Sequence, residues 1–194
     1  MLTIYIDFKS PGAYLAISPT LELAERYGAA IDWRPFRTIE RDVPKLGKEE
    51  TVGESHRRVR AAALRAQSVK YAKRQGIDLN FPPQLGSTDL ALGALASLDG
   101  DPLPFIKAAF SAYWDEHANL DDLDVVRRLL AENAGGGIAD AEALREGLDA
   151  ALNHADEVGI VGAPAYVLDD QIFVGREHLP WIEELIREKQ AATA

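Results

Sequence analysis

The order of strand-like and helix-like patterns predicts an α/β fold in which a block of helices separates two groups of strands. Residues 2–8 and 30–36 are apolar and rich in β-branched and aromatic residues, and a helical pattern lies between them. Helical patterns then fill residues 54–157. Two short strands, 165–168 and 172–174, flank a hairpin turn before the last helix. The first two strands are predicted to be parallel, because a right-handed helical crossover joins them.

The first helix has a well-marked start. Ser10 is a good N-cap residue, and Pro11 suits the first helical position because it lacks an amide hydrogen. The Ser10 hydroxyl is therefore predicted to lie at the positive end of a helix and at the carboxyl end of a strand. An anion, including a thiolate, can be held there. The alternative is a capping role alone, worth about 1 kcal/mol to the helix.

The helical block defines the predicted domain organisation. Residues 1–40 and 158–194 are expected to form one domain, and residues 41–157 an inserted all-helical subdomain that includes the preceding loop. Within that block, Ser87 is the predicted N-cap of a helix that ends near residue 98. Three consecutive glycines at 135–137 predict a turn between two later helices.

Composition narrows the possible functions. The 194 residues carry a formal net charge of -10, which argues against nucleic acid and against an anionic membrane surface as partners. The chain has no cysteine, so disulfides, zinc–thiolate sites and a cysteine nucleophile are excluded. If thiol chemistry occurs here, a ligand brings the thiol. The four histidines lack the spacing of metal ligands, so no metal site is expected.

The N-terminal residues enter a strand directly, without the basic and apolar regions of a signal peptide. No apolar run approaches the roughly 20 residues of a membrane span. We therefore expect a cytoplasmic protein.

Five stretches, spread over nearly the whole chain, carry a resemblance to a known family. They are DFKSPGAYLA (7–16), WRPF (33–36), KYAKRQGI…FPP (70–83), AYWDEHANLDD (112–122) and VGIVGAPAYVLDDQIFVGREHL (158–179). In these stretches the chain resembles the 2-hydroxychromene-2-carboxylate isomerases and kappa-class glutathione transferases, which are relatives of the periplasmic disulfide oxidoreductases. The resemblance implies a thioredoxin-like fold with an inserted all-helical subdomain, of the DSBA-like kind, and a homodimer.

The resemblance also implies glutathione as the cofactor, held at both ends of one groove. Ser10 would be the catalytic residue and donate a hydrogen bond to the glutathione sulfur, with Pro11 beside it. The Ala163–Pro164 peptide bond would be cis, and the backbone of Ala163 would pair with the cysteinyl part of glutathione, as an added strand does. A trans loop proline is the alternative at Pro164.

A polar cluster after the last strand would hold the γ-glutamyl end of glutathione. The matching residues are Arg176, Glu177 and His178, where relatives more often have Asp-Arg at the last two positions. The alternative is that these three residues form a solvated loop and a helix start. The chain also has Gly12 and Ala13 where relatives commonly have an aromatic residue and a serine, and it has no clear counterpart of the asparagine expected after the second strand.

The implied activity is isomerisation of an aromatic or chromene-type carboxylate by thiolate addition, bond rotation and elimination. A free thiol has a pKa of about 8.5, and lowering it by roughly 1.5 units requires about 2 kcal/mol. A helix N-terminus supplies about 0.3–1 kcal/mol, and a hydrogen bond to a charged acceptor about 1.5–3 kcal/mol. Ser10 therefore needs no catalytic base. Two alternatives stay open: conjugation by a glutathione transferase, and a non-catalytic module that binds a small molecule or a peptide.

Overall fold

The computed structural model describes residues 1–39, 43, 50–83, 85–135 and 140–193. The described chain forms, in order, β1 (Leu2–Ile6), α1 (Pro11–Tyr27), β2 (Ile31–Pro35), α2 (Val52–Gln75), α3 (Asp89–Ser97), α4 (Leu103–Trp114), α5 (Leu123–Asn133), α6 (Ala141–Val158), β3 (Ala165–Leu168), β4 (Gln171–Val174), a 3-10 helix (Arg176–His178) and α7 (Leu179–Thr193). The predicted α/β class is confirmed. The predicted turn at 135–137 lies partly outside the described residues.

The four strands form one sheet in the order β2-β1-β3-β4. Strand β1 pairs in parallel with β2, as predicted, and in antiparallel with β3. Strands β3 and β4 form the predicted hairpin. In the central strand, Ile4 lies opposite Trp33 on one side and opposite Tyr166 on the other. These pairings bring the carboxyl end of β1 next to the residues that precede β3, although 160 positions separate them in sequence.

The contacts group the chain into two compact units, residues 1–38 with 81–194, and residues 39–80. This grouping differs from the predicted division at 41–157, because α3 packs both on β2 and on α6 and so joins the larger unit. Helices α3 and α6 meet closely at Gly93. A Cβ atom placed there would lie 2.1 Å from the carbonyl oxygen of Leu144. Only a residue without a side chain allows this approach.

Helix α2 lies in the second unit and has a defined cap at each end. The Thr51 hydroxyl accepts from the Glu54 N–H at 3.3 Å, and the Glu54 carboxylate accepts from the Thr51 N–H at 2.9 Å. This reciprocal pair is a capping box. Gly76 ends the helix in the left-handed conformation, at φ 70. Of the α2 side chains Ala72 is buried, and most of the others are exposed.

Candidate active site

Ser10 lies at the start of α1, as the sequence predicts. Its backbone is extended, at φ -81 and ψ 114, and its Oγ accepts a hydrogen bond from the N–H of Ala13 at 3.2 Å. Pro11 occupies the first helical turn. The N-cap prediction is confirmed, so the hydroxyl oxygen lies at the positive end of the helix dipole.

The same hydroxyl joins α1 to the segment before β3. Ser10 Oγ donates to the carbonyl oxygen of Ala163 at 2.9 Å. The peptide bond between Ala163 and Pro164 is cis. The first turn of α1 also lies close to this proline, since a Cβ atom on Gly12 would be 3.1 Å from Pro164 Cδ. The structure therefore brings Ser10, Pro11, Ala163 and Pro164 together at one place.

The hydrogen bonds of Ser10 define where its proton lies. A carbonyl oxygen has no hydrogen to give, so the Ser10 O–H must be the donor to Ala163. The Ser10 oxygen meanwhile accepts from Ala13. Rotation about the Cβ–Oγ bond redirects the single proton without moving the oxygen, and it leaves the bond from Ala13 in place. Ser10 can therefore cap α1 and donate to a ligand at the same time, provided that the bond to Ala163 is released.

Asp7 is a site residue that the sequence reasoning missed. It follows β1 directly, its side chain is fully buried, and its carboxylate accepts hydrogen bonds at both oxygens. Oδ1 accepts from the Lys9 N–H at 3.2 Å and from the Thr88 hydroxyl at 2.8 Å. Oδ2 accepts from the Thr38 N–H at 2.8 Å and also from the Thr38 hydroxyl. The signal for Asp7 was present, because it is the one charged residue in the apolar run 2–8.

The turn from Asp7 to Ser10 is fixed at further points. The Ser10 N–H donates to the Asp7 carbonyl at 3.0 Å, and Trp114 Nε1 donates to the Phe8 carbonyl at 3.0 Å. Both Phe8 and Trp114 are fully buried. The turn that precedes α1 and contains Ser10 is thus held by backbone and side-chain hydrogen bonds from several elements.

Thr88 takes a role that corrects the prediction for α3. The helix begins at Asp89 with Thr88, not Ser87, as its N-cap. The Thr88 hydroxyl makes no capping bond to α3, and it donates to Asp7. The Ser87 hydroxyl accepts from the Asp89 N–H at 3.2 Å. The prediction of Ser87 is therefore wrong by one residue as the cap position, although its side chain does bond to the helix start.

Aromatic side chains of α4 pack next to the first turn of α1. The Tyr14 ring stacks on Phe110 and on Trp114, with centroids 5.3 Å and 6.0 Å apart. Phe81 meets the edge of Trp114 at 5.5 Å. Burial raises the pKa of the Tyr14 hydroxyl above its ordinary value, and the charge of Asp115 adds to this. One turn after Ser10, α1 therefore carries an aromatic surface that is shared with α4.

The predicted cluster Arg176, Glu177 and His178 forms the 3-10 helix. Its start lies near the site, because the Gly175 N–H donates to the Pro164 carbonyl at 2.8 Å. The Glu177 carboxylate folds back over Gly175, where a Cβ atom would lie 2.4 Å from Glu177 Oε2. The His178 ring packs beside the ring of Phe173, which is buried, with the two ring centroids 5.9 Å apart.

The charges of Arg176 and Glu177 both act on the buried hydroxyl of Tyr166. Burial raises the pKa of that hydroxyl, a hydrogen bond with Thr20 and the charge of Arg176 lower it, and the charge of Glu177 raises it. The Tyr166 and Thr20 oxygens are 3.1 Å apart. Arg176 and Glu177 therefore both lie near Tyr166, while the His178 ring packs beside Phe173.

A comparison with known families decides the classification. The family model of the DSBA-like thioredoxin domain matches residues 1–187. The chain belongs to this family. Among curated relatives, the 2-hydroxychromene-2-carboxylate isomerase of Sphingobium xenophagum is 29% identical over 198 residues, with 95% of this chain and 97% of the relative covered. The enzyme of the same name from Pseudomonas putida is 27% identical over 192 residues, with 94% and 92% covered.

Solved structures give the same fold for this DSBA-like domain. A structure of 2-hydroxychromene-2-carboxylate isomerase superimposes with a TM-score of 0.72 at 22% identity, covering 100% of this chain and 98% of that one. The cytosolic disulfide reductase DsbM from Pseudomonas aeruginosa, solved with GSH, gives a TM-score of 0.58 at 18% identity, covering 98% of each chain. The predicted thioredoxin-like fold and the resemblance to the isomerase family are confirmed.

The described residues of this DSBA-like domain contain neither a metal-binding group nor a membrane-spanning helix. Outside the gaps at 40–42, 44–49, 84, 136–139 and 194, no three or more histidine, aspartate or glutamate side chains are grouped so that they could hold a metal ion. Over the same residues, no helix is both long and apolar enough to pass through a membrane.

Proposed function

We propose that this protein is a glutathione-dependent isomerase that acts on an aromatic or chromene-type carboxylate. The relatives named as 2-hydroxychromene-2-carboxylate isomerases support an enzyme of the isomerase type. The observation that carries the finer proposal is the Ser10 hydroxyl, which lies at the N-terminus of α1 and within hydrogen-bond distance of Ala163, in a chain with no cysteine.

The residues around Ser10 fit the sulfur end of glutathione. A hydroxyl donor, a helix N-terminus and the Ala163 carbonyl converge there, and Gly12 contributes no side chain to fill the space. At the other end, the bond from the Gly175 N–H to the Pro164 carbonyl brings the 3-10 helix near the site, and the Glu177 carboxylate lies over Gly175. We assign the main binding contribution to the backbone of Ala163 and to the Ser10 end, where a side-chain donor and a backbone acceptor lie together.

When bound, glutathione supplies a thiolate that adds to an electron-poor double bond and leaves again after rotation about the resulting single bond. Ser10 contributes by donating its hydrogen to the sulfur, which favours the charged form over the thiol. The N-terminus of α1 adds its dipole in the same direction. Together they supply about 2–4 kcal/mol, enough to make the thiolate the main form at neutral pH.

Before Ser10 can act on sulfur, its proton must move from the Ala163 carbonyl, to which it is donated in the structure. A rotation of the hydroxyl accomplishes this, because the oxygen stays bound to the Ala13 N–H. The Ala163 carbonyl is then free to accept an N–H from the ligand backbone. The exchange replaces one hydrogen bond by two, and no proton is transferred by Ser10 at any stage.

Ser10→Ala tests the proposal. The loss of a hydrogen bond to a charged sulfur, about 1.5–3 kcal/mol, should raise the pKa of the bound thiol and lower glutathione-dependent turnover about tenfold to hundredfold. The matched control is Ser18→Ala, which changes an exposed serine of the same helix that bonds only to Glu22, at 3.0 Å, among the described residues. Thiol ionisation is followed by ultraviolet absorbance, and turnover by separating the two substrate isomers.

Two outcomes would overturn parts of the proposal. Unchanged glutathione-dependent turnover in Ser10→Ala would remove the role of Ser10. A product that retains glutathione would replace isomerisation by conjugation, since an isomerase returns the free thiol. Three further expectations stay predictions: a homodimer, a cytoplasmic location, and the absence of nucleic-acid and membrane partners. Sedimentation would check the homodimer.

A further inference from the structure

We propose that Asp7 is a positioning residue whose buried carboxylate holds the Ser10 hydroxyl at the entrance of the site. The inference rests on the proposed function for the role of Ser10, and on the hydrogen-bond geometry for the role of Asp7. Asp7 touches neither a ligand nor the reacting atoms. It acts through the turn that leads to Ser10, because its Oδ1 accepts from the N–H of Lys9, the residue before Ser10, at 3.2 Å.

The hydrogen-bond donors around Asp7 fit a carboxylate but not an amide. Each of its two oxygens accepts from a backbone N–H: Oδ1 from Lys9 at 3.2 Å and Oδ2 from Thr38 at 2.8 Å. A backbone N–H cannot reverse its direction, whereas a hydroxyl can. An asparagine at this position would therefore point its NH₂ group at one of these two N–H groups in either orientation. At a fully buried position that mismatch leaves donors without acceptors.

Thr88 joins the start of α3 to Asp7. Its side chain is fully buried, makes no capping bond to its own helix and donates to Asp7 at 2.8 Å, 81 positions away. Through this bond the start of α3 is tied to the end of β1. Thr38, which follows β2, is tied to the same carboxylate.

These ties converge on the segment that must stay in place for Ser10 to work. Three segments from different parts of the chain meet at Asp7, and two residues later the chain reaches the Lys9 N–H that Asp7 also holds. Ser10 follows immediately, bonded to Ala13 within its helix and to Ala163 across the site. If the turn from Asp7 to Ser10 loosened, the Ser10 oxygen itself would move. Asp7 therefore sets the position of that oxygen, while rotation about the Ser10 Cβ–Oγ bond sets which acceptor receives its hydrogen.

The experiment compares Asp7→Asn and Thr88→Val with Thr88→Ser, which keeps the hydroxyl, and with Asp170→Asn, which changes an exposed aspartate in the β3–β4 turn. Hydrogen exchange in the ligand-free protein is measured at the amides of Ala13 and Tyr14, which donate to Ser10. We expect exchange at these two amides to become about tenfold faster in Asp7→Asn and Thr88→Val. Thr88→Ser should restore the slow rate, and Asp170→Asn should leave it unchanged.

A second measurement connects the turn to chemistry. The pKa of the thiol of bound glutathione should rise toward its free value in Thr88→Val and return in Thr88→Ser. Two results would overturn the proposal: unchanged exchange at Ala13 and Tyr14, or equally faster exchange along the whole of α1, which indicates general destabilisation. If the unaltered protein fails to bind glutathione, the proposed function fails, while the exchange rates still decide the role of Asp7.

Discussion

The two halves of the predicted site differ in how firmly they are held. Around Ser10, the hydroxyl is bonded to Ala13 and Ala163, and the preceding turn is fixed through the buried carboxylate of Asp7. The segment Arg176–His178 meets the site through the bond from the Gly175 N–H to the Pro164 carbonyl. Beyond that bond, Glu177 lies over Gly175, and the His178 ring packs beside Phe173. A side-chain hydrogen bond therefore crosses the site at Ser10, whereas a backbone hydrogen bond joins the second half to it.

The difference shows which parts of a site a fold determines. Ser10 and Ala163 are 153 positions apart, and they meet because β1 pairs with β3, where Tyr5 lies opposite Ala165. Strand pairing therefore sets the distance between them. No such pairing sets the directions of side chains on a short 3-10 helix, where local contacts decide. If this difference is real, substitutions near Ser10 should cost more stability or binding than substitutions in and around the segment Arg176–His178.

The largest effect is expected from Trp114→Phe, which weakens the support of the Ser10 turn. The change removes the Nε1 donor to the Phe8 carbonyl, at 3.0 Å, and leaves a cavity, because Trp114 is fully buried. We expect a loss of about 2–4 kcal/mol in the free energy of unfolding. Urea denaturation measures it.

The matched control for this change is Trp181→Phe, at a tryptophan that is 54% exposed and packs on the edge of Phe173. We expect it to cost less than about 1 kcal/mol. Equal losses in the two variants would show that the turn before Ser10 is no more constrained than the surface of α7, and the contrast between the two halves would disappear.

A smaller effect is expected from Tyr166→Phe, which changes the core beside Arg176. The variant removes the hydroxyl that lies 3.1 Å from Thr20 Oγ1, and it leaves the buried Thr20 hydroxyl without its partner. We expect a loss of about 1–2 kcal/mol at neutral pH. Tyr27→Phe is the control, because the Tyr27 hydroxyl donates to a surface carboxylate, that of Glu183, at 3.0 Å.

The pH dependence of the same variant gives a second readout. Burial raises the pKa of Tyr166 well above the ordinary value of 10.0, so the folded protein resists ionisation that the unfolded chain undergoes. This contribution to stability is complete below about pH 10 and is lost as the pH rises further. Burial of Tyr5 and Tyr14 acts in the same direction. The fall of the urea midpoint above about pH 10 should be flatter in Tyr166→Phe, and an equally steep fall would contradict the assignment.

The sequence predicted the parts of the site that depend on local chemistry or on strand order. Ser10 as a helix cap follows from residue type and from Pro11, and the cis bond at Pro164 was implied by the family resemblance. The bond between Asp7 and Thr88 could not be predicted, because it joins residues 81 positions apart that no periodic pattern relates. Ser87 and Thr88 are both residue types that favour an N-cap, so residue type alone did not separate the two positions.

The contacts of α3 with α6 and β2 could not be predicted from the sequence either. The side-chain pattern predicts a helix there, but it does not say that Gly93 meets the backbone of α6 at Leu144. Nor does it say that α3 packs on β2. Packing of this kind decides which helices group with the sheet, and it accounts for the difference from the predicted division of the chain.

The smallest effect is expected from Glu177→Gln, which tests the second half of the site directly. The carboxylate lies over Gly175 and its side chain is exposed, so its charge is screened by water. We expect the Kd for glutathione, measured by calorimetry, to change by less than about threefold. Glu184→Gln, at an exposed glutamate on α7, is the control. A loss of more than about tenfold, absent from the control, would mean that Glu177 swings over to hold the ligand. The two halves of the site would then contribute alike to binding of the ligand.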